Sequence, residues 1–472
     1  MKKIKILILI AFSLLTFSCE NFLQKDLKGE YTSENFFTSA ENATMAVNGI
    51  YNSLYNNTLW IFGDVASDDA VKGGNAGDQA DINGINDFTA TADNGVLNTY
   101  WKSTYEVIAR ANNAIAYIPT IPMDSTLRNR LVGEAKFLRS YAYFNLVNIF
   151  GKIPLKLKPQ NTSDAIYVGL SEIPTIYGQI ENDLKYSIKV LPDSYIDDDK
   201  GRITKGAAFA LLAKVDLYQQ KFSDCLINID SLELLHQYEL EPKYADLFKS
   251  GGEDSKEVIF GIRYITNDTV SLGNNLNVWF SPSIEGGYYF DAPTQSYVDA
   301  FSEKTQSGED DPRLDASIGR DGKPWFNKRI FSASWSEATG YLVKKYDEDM
   351  VAGIAKSQST IPYHAIRYAD ILLMKAEALN EENKTNLAIL EVNKVRNRAN
   401  LPLIGTSDQL TLRDIIRNER RKELGFEFHR FFDLMRWGKD VAKAALPDLP
   451  WTDSRFYFPI PQSELDTNKA IN

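Results

Sequence analysis

GRITKGAAFALLAKVDLYQQKFSDCLINIDSLELL, residues 201–235, reads as two helices and the turn between them. From Lys205 to Gln220, Ala208, Leu211, Leu212, Val215 and Tyr218 recur at helical spacing, which predicts one apolar stripe on an amphipathic helix. The pattern breaks at Lys221 and resumes from Ser223 to Leu235. The first helix is rich in alanine, so a neighbour can approach it closely. Such a pair leaves apolar surface that only another pair can cover, so pairs of this kind stack.

The same pattern returns along the chain. Arg367 to Asn380 carries Ala369, Leu372, Leu373, Ala376 and Leu379 at helical spacing; the turn EENK and the helical stretch Thr385 to Ala399 follow. Two looser pairs precede these, Ser39 to Tyr55 with Val96 to Ile118, and Leu127 to Phe150 with Ser171 to Leu191. In Leu127 to Phe150 the stripe is Leu131, Ala135, Leu138 and Ala142. Short polar turns and small residues at the crossings resemble tetratricopeptide repeats. The expected fold is therefore mostly α, with tetratricopeptide-like helix pairs stacked as a superhelical scaffold. Helices are also expected at Thr411 to Leu424 and Glu427 to Ala444. In FPIPQSEL, Pro459 and Pro461 favour an extended strip.

Two stretches break the helical period. One is the Gly-, Asn- and Asp-rich loop 59–95; the other is the long insert 237–365, with short β-prone runs at Val258 to Ile265 and Tyr341 to Tyr346. Long irregular stretches inside a compact domain are commonly functional. In the insert, aromatics alternate with amides and charges: NNLNVWF, EGGYYFD, KPWFNKRIF and SASW. Aromatic faces stack on the apolar faces of sugars and on peptide side chains, and amides bond hydroxyls or backbone. The candidate ligand-binding residues are Trp60, Asn75, Asp78, Trp279, Phe280, Tyr288, Tyr289, Trp325 and Trp335.

Composition limits the other functions. The chain has 472 residues, a net charge of −11, two cysteines and three histidines. An acidic balance disfavours nucleic acid, and His236, His364 and His429 leave little material for a metal centre. No metal or cofactor is expected. The N-terminus reads MKKIKILILIAFSLLTFSC: a basic start, then a charge-free run from Ile6 to Phe17 that is too short to span a membrane and has the form of a secretory signal. Ser18 directly precedes Cys19, which resembles a lipoprotein cleavage site with Cys19 as the acylated residue. Residues 1–18 are thus expected to be a signal peptide, and 19–472 a single domain. Loss of Lys2, Lys3 and Lys5 with the signal takes the charge from −11 to −14. Cys225 lies in an apolar helical stretch and reads as a core residue.

The segment RNERRKELGFEFHRFFDLMRW gathers Glu419, Glu423, Glu427, His429 and Asp433, and paired carboxylates can serve glycoside hydrolysis. Here they are interleaved with arginines, which depress carboxylate pKa values, so ion pairing is the expected role. The sequence contains no GxSxG, HExxH, GxGxxG or GxxxxGKS/T motif.

Taken in order, several segments resemble the SusD/RagB family of outer-membrane nutrient-binding lipoproteins. They are CENFLQKDLKGEYTSENFFTSAENATMAVNGIY, YWKSTYEVIARANNAI, EAKFLRSYAYFNLVNIFGKIPL, GRITKGAAFALLAKVDLY, DPRL, IRYADILLMKAEALNE, NKVRNRANLP, ERRKELGFEFHRFFDLMRWG and FPIPQSEL. The resemblance implies four helix pairs as scaffold and no enzymatic activity. It implies ligand contacts from the loop before the YW segment and from Gly273 to Trp335. It further implies a TonB-dependent, SusC-like transporter as partner, over which the protein acts as a lid at the cell surface, held by a lipid anchor. The ligand class implied is an oligosaccharide, with an oligopeptide as the alternative. From the carboxylate segment alone, a glycoside hydrolase on a helical scaffold stays open as a second alternative.

Overall fold

The computed structural model describes residues 36–55, 58–75, 77–161, 166–267, 271–349, 355–406, 408–451 and 456–471. Cys19 and residues 1–18, expected to be a signal peptide, lie outside the described residues. Four helix pairs form the scaffold. α1 (Ala40–Asn52) packs on α2 (Gly95–Tyr117), α3 (Ser125–Phe150) on α4 (Ile173–Val190), α5 (Lys205–Tyr218) on α6 (Phe222–Glu233) and α7 (Tyr368–Glu381) on α8 (Thr385–Arg398). Successive pairs touch through α2 and α3, α4 and α5, and α6 and α7, so the stack is continuous. The mostly α, repeat-like scaffold expected from the periodicity is the one observed.

Local chemistry sets the helix starts. The side chains of Ser39, Asn94, Asp124 and Thr204 each accept a backbone N–H from the first turn of α1, α2, α3 and α5. The tight turns between paired helices use left-handed residues, Gln220 (φ 58°) after α5 and Asn383 (φ 59°) after α7. The single-stripe expectation is corrected for α5 and α7, which are buried nearly all round. Their alanines make room for neighbours on several sides, and their polar residues go inside as partners. Lys214 Nζ on α5 meets Asp370 of α7 at 3.0 Å, with both side chains buried.

The C-terminal region departs from the expected helices. α9 (Gln409–Leu424) ends in a backbone excursion, and α10 (Arg430–Trp437) starts three residues later than Glu427. Phe426 and Phe428 hold φ values of 60° and 68°, unusual for bulky residues. Tertiary contacts hold them there: the Phe428 ring stacks on Tyr363 at 4.7 Å, and Phe426 meets Tyr297 at 4.6 Å. The Phe428 backbone runs so close to Gly63 that a Cβ there would lie 2.3 Å from its carbonyl oxygen. A further helix covers Lys439–Ala445. The FPIPQSEL strip is extended only as far as Ile460. Pro461 then caps a helix at Gln462–Thr467, a place where a missing N–H costs nothing.

The two irregular stretches are ordered by short strands. The first loop contains a π-helical turn at Ile61–Val65, strand β1 (Ala70–Lys72) and a helix at Ala80–Asn86. The insert opens on β2 (Val258–Ile262), carries β3 (Asp291–Pro293) midway and closes on β4 (Tyr363–Arg367). β2 and β4 pair antiparallel, with Tyr363 opposite Ile262 and Arg367 opposite Val258, so the insert leaves and rejoins the scaffold at one place. β4 runs directly into α7.

Candidate ligand-binding face

Strands β1 and β3 join the first loop to the insert. Their antiparallel register pairs Ala70 with Pro293, Val71 with Ala292 and Lys72 with Asp291. Gly73 N–H extends the ladder by donating to Phe290 O at 2.8 Å. A Cβ on Gly73 would stand 2.1 Å from Tyr289 O, so the two backbones touch in a way only glycine permits. Gly74 follows at φ 70°, beneath the Phe290 ring. The tip of the loop folds on itself: Asn75 Nδ2 donates to Asp78 Oδ2 at 3.0 Å, and Lys72 Nζ donates to Asn75 O at 2.7 Å. From the insert, Tyr289 OH donates to Asn75 Oδ1 at 3.3 Å.

Above this ladder sits an aromatic group. The Trp279 ring lies 5.4 Å from Tyr288 and 5.6 Å from Phe290, and Tyr288 lies 5.9 Å from Phe290. Backbone bonds from Tyr288 N–H to Val278 O and from Phe290 N–H to Trp279 O fix the two segments to each other. Tyr288 is 49% exposed and Trp279 is half-buried, so both offer ring surface to solvent. Asn75 and Asp78 are exposed beside them. Tyr289, at φ 45°, points the other way and packs on a second cluster of Trp325, Phe331 and Leu342, with Trp335 half-buried against it. Lys344 Nζ covers this cluster, 5.9 Å from the Trp325 ring.

Three of the nine expected contact residues are corrected. Trp60 and Phe280 are each 1% exposed and Trp325 is 5% exposed. Trp60 supports Trp279 from below at 6.3 Å and meets Phe280 edge-on at 5.2 Å; Trp325 forms the small core beside Tyr289. These rings pack against other rings and leave no face for a ligand. Asn75, Asp78, Trp279 and Tyr288 are brought together on one surface; Tyr289 turns to the second cluster and reaches Asn75 only through its hydroxyl. Trp335 sits at the far side of the Tyr289 cluster. Sequence reading missed Lys72, whose ammonium lies 5.2 Å over the Phe290 ring. The Gly-Gly pair directly after it was the available signal.

Beneath the face lie three fully buried carboxylates, Asp64, Asp69 and Asp291. Arg421 pairs with Asp69, and Phe428 N–H donates to Asp64 Oδ1 at 3.2 Å. No N–H or hydroxyl among the described residues donates to either oxygen of Asp291, which faces the Asp64 carboxyl. Burial first, then the neighbouring carboxylates, pushes the pKa of Asp64 well above the ordinary range; burial pushes Asp291 the same way, outweighing the lowering effect of its contact with the Asp64 carboxyl, with Asp69 adding to the rise.

The carboxylates of the α9–α10 segment are ion-paired, as the interleaved arginines suggested. Arg367 contacts Glu257 and Glu423 at 2.6 Å and Glu427 at 2.7 Å. Lys345 meets Glu427 at 2.6 Å, and Arg313 joins Asp311, Glu419 and Glu423. All are buried. Burial alone would raise Glu427, but Arg367 and Lys345 outweigh it and hold its pKa at about 2. Glu423 is held well below the usual range in the same way, by Arg398, Arg367 and Arg313. Carboxylates kept ionised are unsuited to donating a proton. Among the described residues, no group of three or more His, Cys, Asp or Glu is placed to hold a metal ion, and no helix is long and apolar enough to cross a membrane. Cys225 is buried on α6, and burial raises its thiol pKa.

Two family models match the chain, one described as the SusD family over residues 256–453, the other as starch-binding associating with outer membrane over residues 21–217. SusD-like protein P2 of Formosa agariphila is 28% identical over 518 aligned residues, covering 100% of this chain and 99% of that one. Among solved structures, a laminarin-binding SusD-like protein is 29% identical with a TM-score of 0.80, covering 92% of this chain and 99% of its own. A SusD-like carbohydrate-binding protein from Bacteroides fragilis superposes with a TM-score of 0.82 at 25% identity, covering 93% of this chain and 100% of its own.

Proposed function

The chain belongs to the SusD/RagB family, and from that premise we propose that it is a cell-surface nutrient-binding lipoprotein that captures oligosaccharides. Cys19 carries the lipid that anchors it to the outer membrane. A TonB-dependent, SusC-like transporter receives the ligand, with this protein as its lid. Its role is binding, without catalysis.

The observation that carries the reading is the Trp279–Tyr288 ring surface flanked by Asn75 and Asp78. Rings offer stacking area to the C–H faces of a sugar. The amide beside them can donate to and accept from its hydroxyls, and the carboxylate accepts from them. The laminarin-binding relative supports the choice of ligand class.

Isothermal titration against a glycan panel that includes laminarin oligosaccharides tests this. A ligand is expected whose binding Trp279→Ala or Tyr288→Ala weakens by ~1–3 kcal/mol. A silent glycan panel together with a positive peptide panel would replace oligosaccharide by oligopeptide as the cargo. Cys19→Ala is expected to move the protein out of the membrane fraction.

A further inference from the structure

A pocket of about 590 Å³ lies where the C-terminal end of α3, the first turns of α4, the end of α5 and the turn after α10 meet, with Tyr457 of the C-terminal strip also lining it. It shares no residue with the aromatic face. Tyr177 and Tyr218 give it two further rings. Gly151, at φ 72°, lies against Tyr457: a Cβ there would stand 2.8 Å from Cδ2 of that ring. Tyr457 is 43% exposed, and Tyr218 and Gln219 are half-buried, so all three are open to a molecule entering from solvent.

The charges around this pocket are one-sided. Arg436 and Lys439 line it, and no carboxylate does. Arg436 is committed to Glu377 and Asp433. Lys439 is exposed, lies 4.2 Å over the Phe456 ring and, among the described residues, has no carboxylate at ion-pair distance. Asp440, next in sequence, does not line the pocket. The acids nearby are turned to other cations, Glu172 to Lys152 and Glu181 to Lys185 and Lys221. Carbonyls in the last turns of α3, α5 and α10 are taken up as well: Val147 O by Gly151 N–H, Val215 O by Gln219 N–H and Met435 O by Gly438 N–H. In a chain of net charge −11 this lining runs against the molecule as a whole, and it selects an anion over a cation. Neutral polar groups complete it. Gln219 Nε2 donates to Glu181 Oε1 at 3.0 Å, which leaves its carbonyl oxygen to accept, and among the described residues the Tyr218 and Tyr457 hydroxyls have no hydrogen-bond partner.

We propose that this pocket is a second binding site, for an acidic sugar unit: its carboxylate pairs with Lys439, its ring lies on Tyr457, and its hydroxyls meet the Tyr218 hydroxyl and the Gln219 carbonyl. The sugar class rests on the proposed function, whereas the negative charge is read from this pocket alone. An ammonium with no competing carboxylate makes charge-assisted hydrogen bonds, stronger than those it makes to a neutral hydroxyl.

Saturation-transfer NMR on the full chain tests the site, with glucuronate, glucose and glucosamine as probes that share a pyranose ring and differ in charge. Glucuronate is expected to half-saturate at a concentration roughly tenfold below that of glucose, with glucosamine the weakest. Lys439→Gln and Tyr457→Ala are each expected to raise the glucuronate value roughly tenfold, while Lys439→Arg, which keeps the charge, holds it near the parent's. Lys439 is exposed, so its replacement leaves the fold intact, and thermal melting checks this. Trp279→Ala is expected to leave glucuronate binding unchanged, and Lys439→Gln to leave binding of laminarin oligosaccharides unchanged, so failure of the aromatic face and failure of this pocket read out separately. Absence of glucuronate binding, equal binding of glucuronate and glucose, tighter binding of glucosamine, or glucuronate binding that survives both Lys439→Gln and Tyr457→Ala would overturn the site.

Discussion

Gly73 and Asp291 show how much of the face depends on single residues. Gly73→Ala would drive a methyl into the backbone carbonyl of Tyr289, with the Ala292 methyl 3.2 Å away and no flexible side chain to yield. Its expected cost is about 1–3 kcal/mol, read as a lower urea midpoint, with weaker ligand binding because the two loops separate. Asp291 acts through protonation. Its folded pKa is raised by burial and by Asp69, and it faces Asp64, which Lys345 and the Phe428 N–H only partly offset. The native state therefore keeps a proton that the unfolded chain releases near pH ~4. That contribution is fully present below the unfolded value and is lost as pH rises toward the folded one. Asp291→Asn is expected to reduce this slope, Asp64 keeping a share of it through its own burial, and to raise the urea midpoint at alkaline pH relative to the parent. An unchanged pH profile would show that the pair is ionised after all. None of this was legible in the sequence, where Asp291 is one acid among 63 Asp and Glu.

Among the elements, α2 and the β1–β3 ladder do different work. Asn94 caps α2, accepting from Val96 N–H at 3.0 Å and Leu97 N–H at 3.2 Å, and its amide reaches back to Asp81 O at 2.8 Å. It ties the first loop to the scaffold as well as starting the helix. Asn94→Ala is expected to cost about 1–2 kcal/mol by chemical denaturation. The helix pairs could be read in advance because a 3.6-residue period is local information. The ladder could not, because nothing in AVK or DAP names the other as its partner. For the same reason the aromatics were recognised as a group but not sorted. Trp60, Phe280 and Trp325 differ from Trp279 and Tyr288 only in which rings lie over them, a fact of tertiary packing. The left-handed Phe426 and Phe428 carry no glycine to announce them, so the break before α10 was invisible too.

At the scale of the whole molecule, a buried ionic network spans the insert and the C-terminal helices. Glu427 meets Lys345 from the insert and Arg367 from β4, while Arg396 on α8 meets Glu419 on α9. Removing one member leaves the others charged and unpaired in the interior. Glu427→Gln is expected to cost about 3–5 kcal/mol. Glu427 and Asp433 are both held at about 2 by neighbouring cations, against the opposing effect of burial. Their contribution is present above the unfolded values near pH ~4 and is lost as pH falls through about 2. Circular dichroism in an acid titration should show the Glu427→Gln variant unfolding at a higher pH than the parent.

The pairing of Lys72 with Asp291 also has a consequence in time. Closing contacts across so long a stretch of chain is slow, because the entropy of the intervening loop must be overcome first. A nascent chain released up to Glu233 already contains the first three helix pairs, α1 to α6, yet holds only one of the two strands that carry the ligand face. The scaffold can assemble as it is made, whereas competence to bind arrives only after the second half of the polypeptide has emerged.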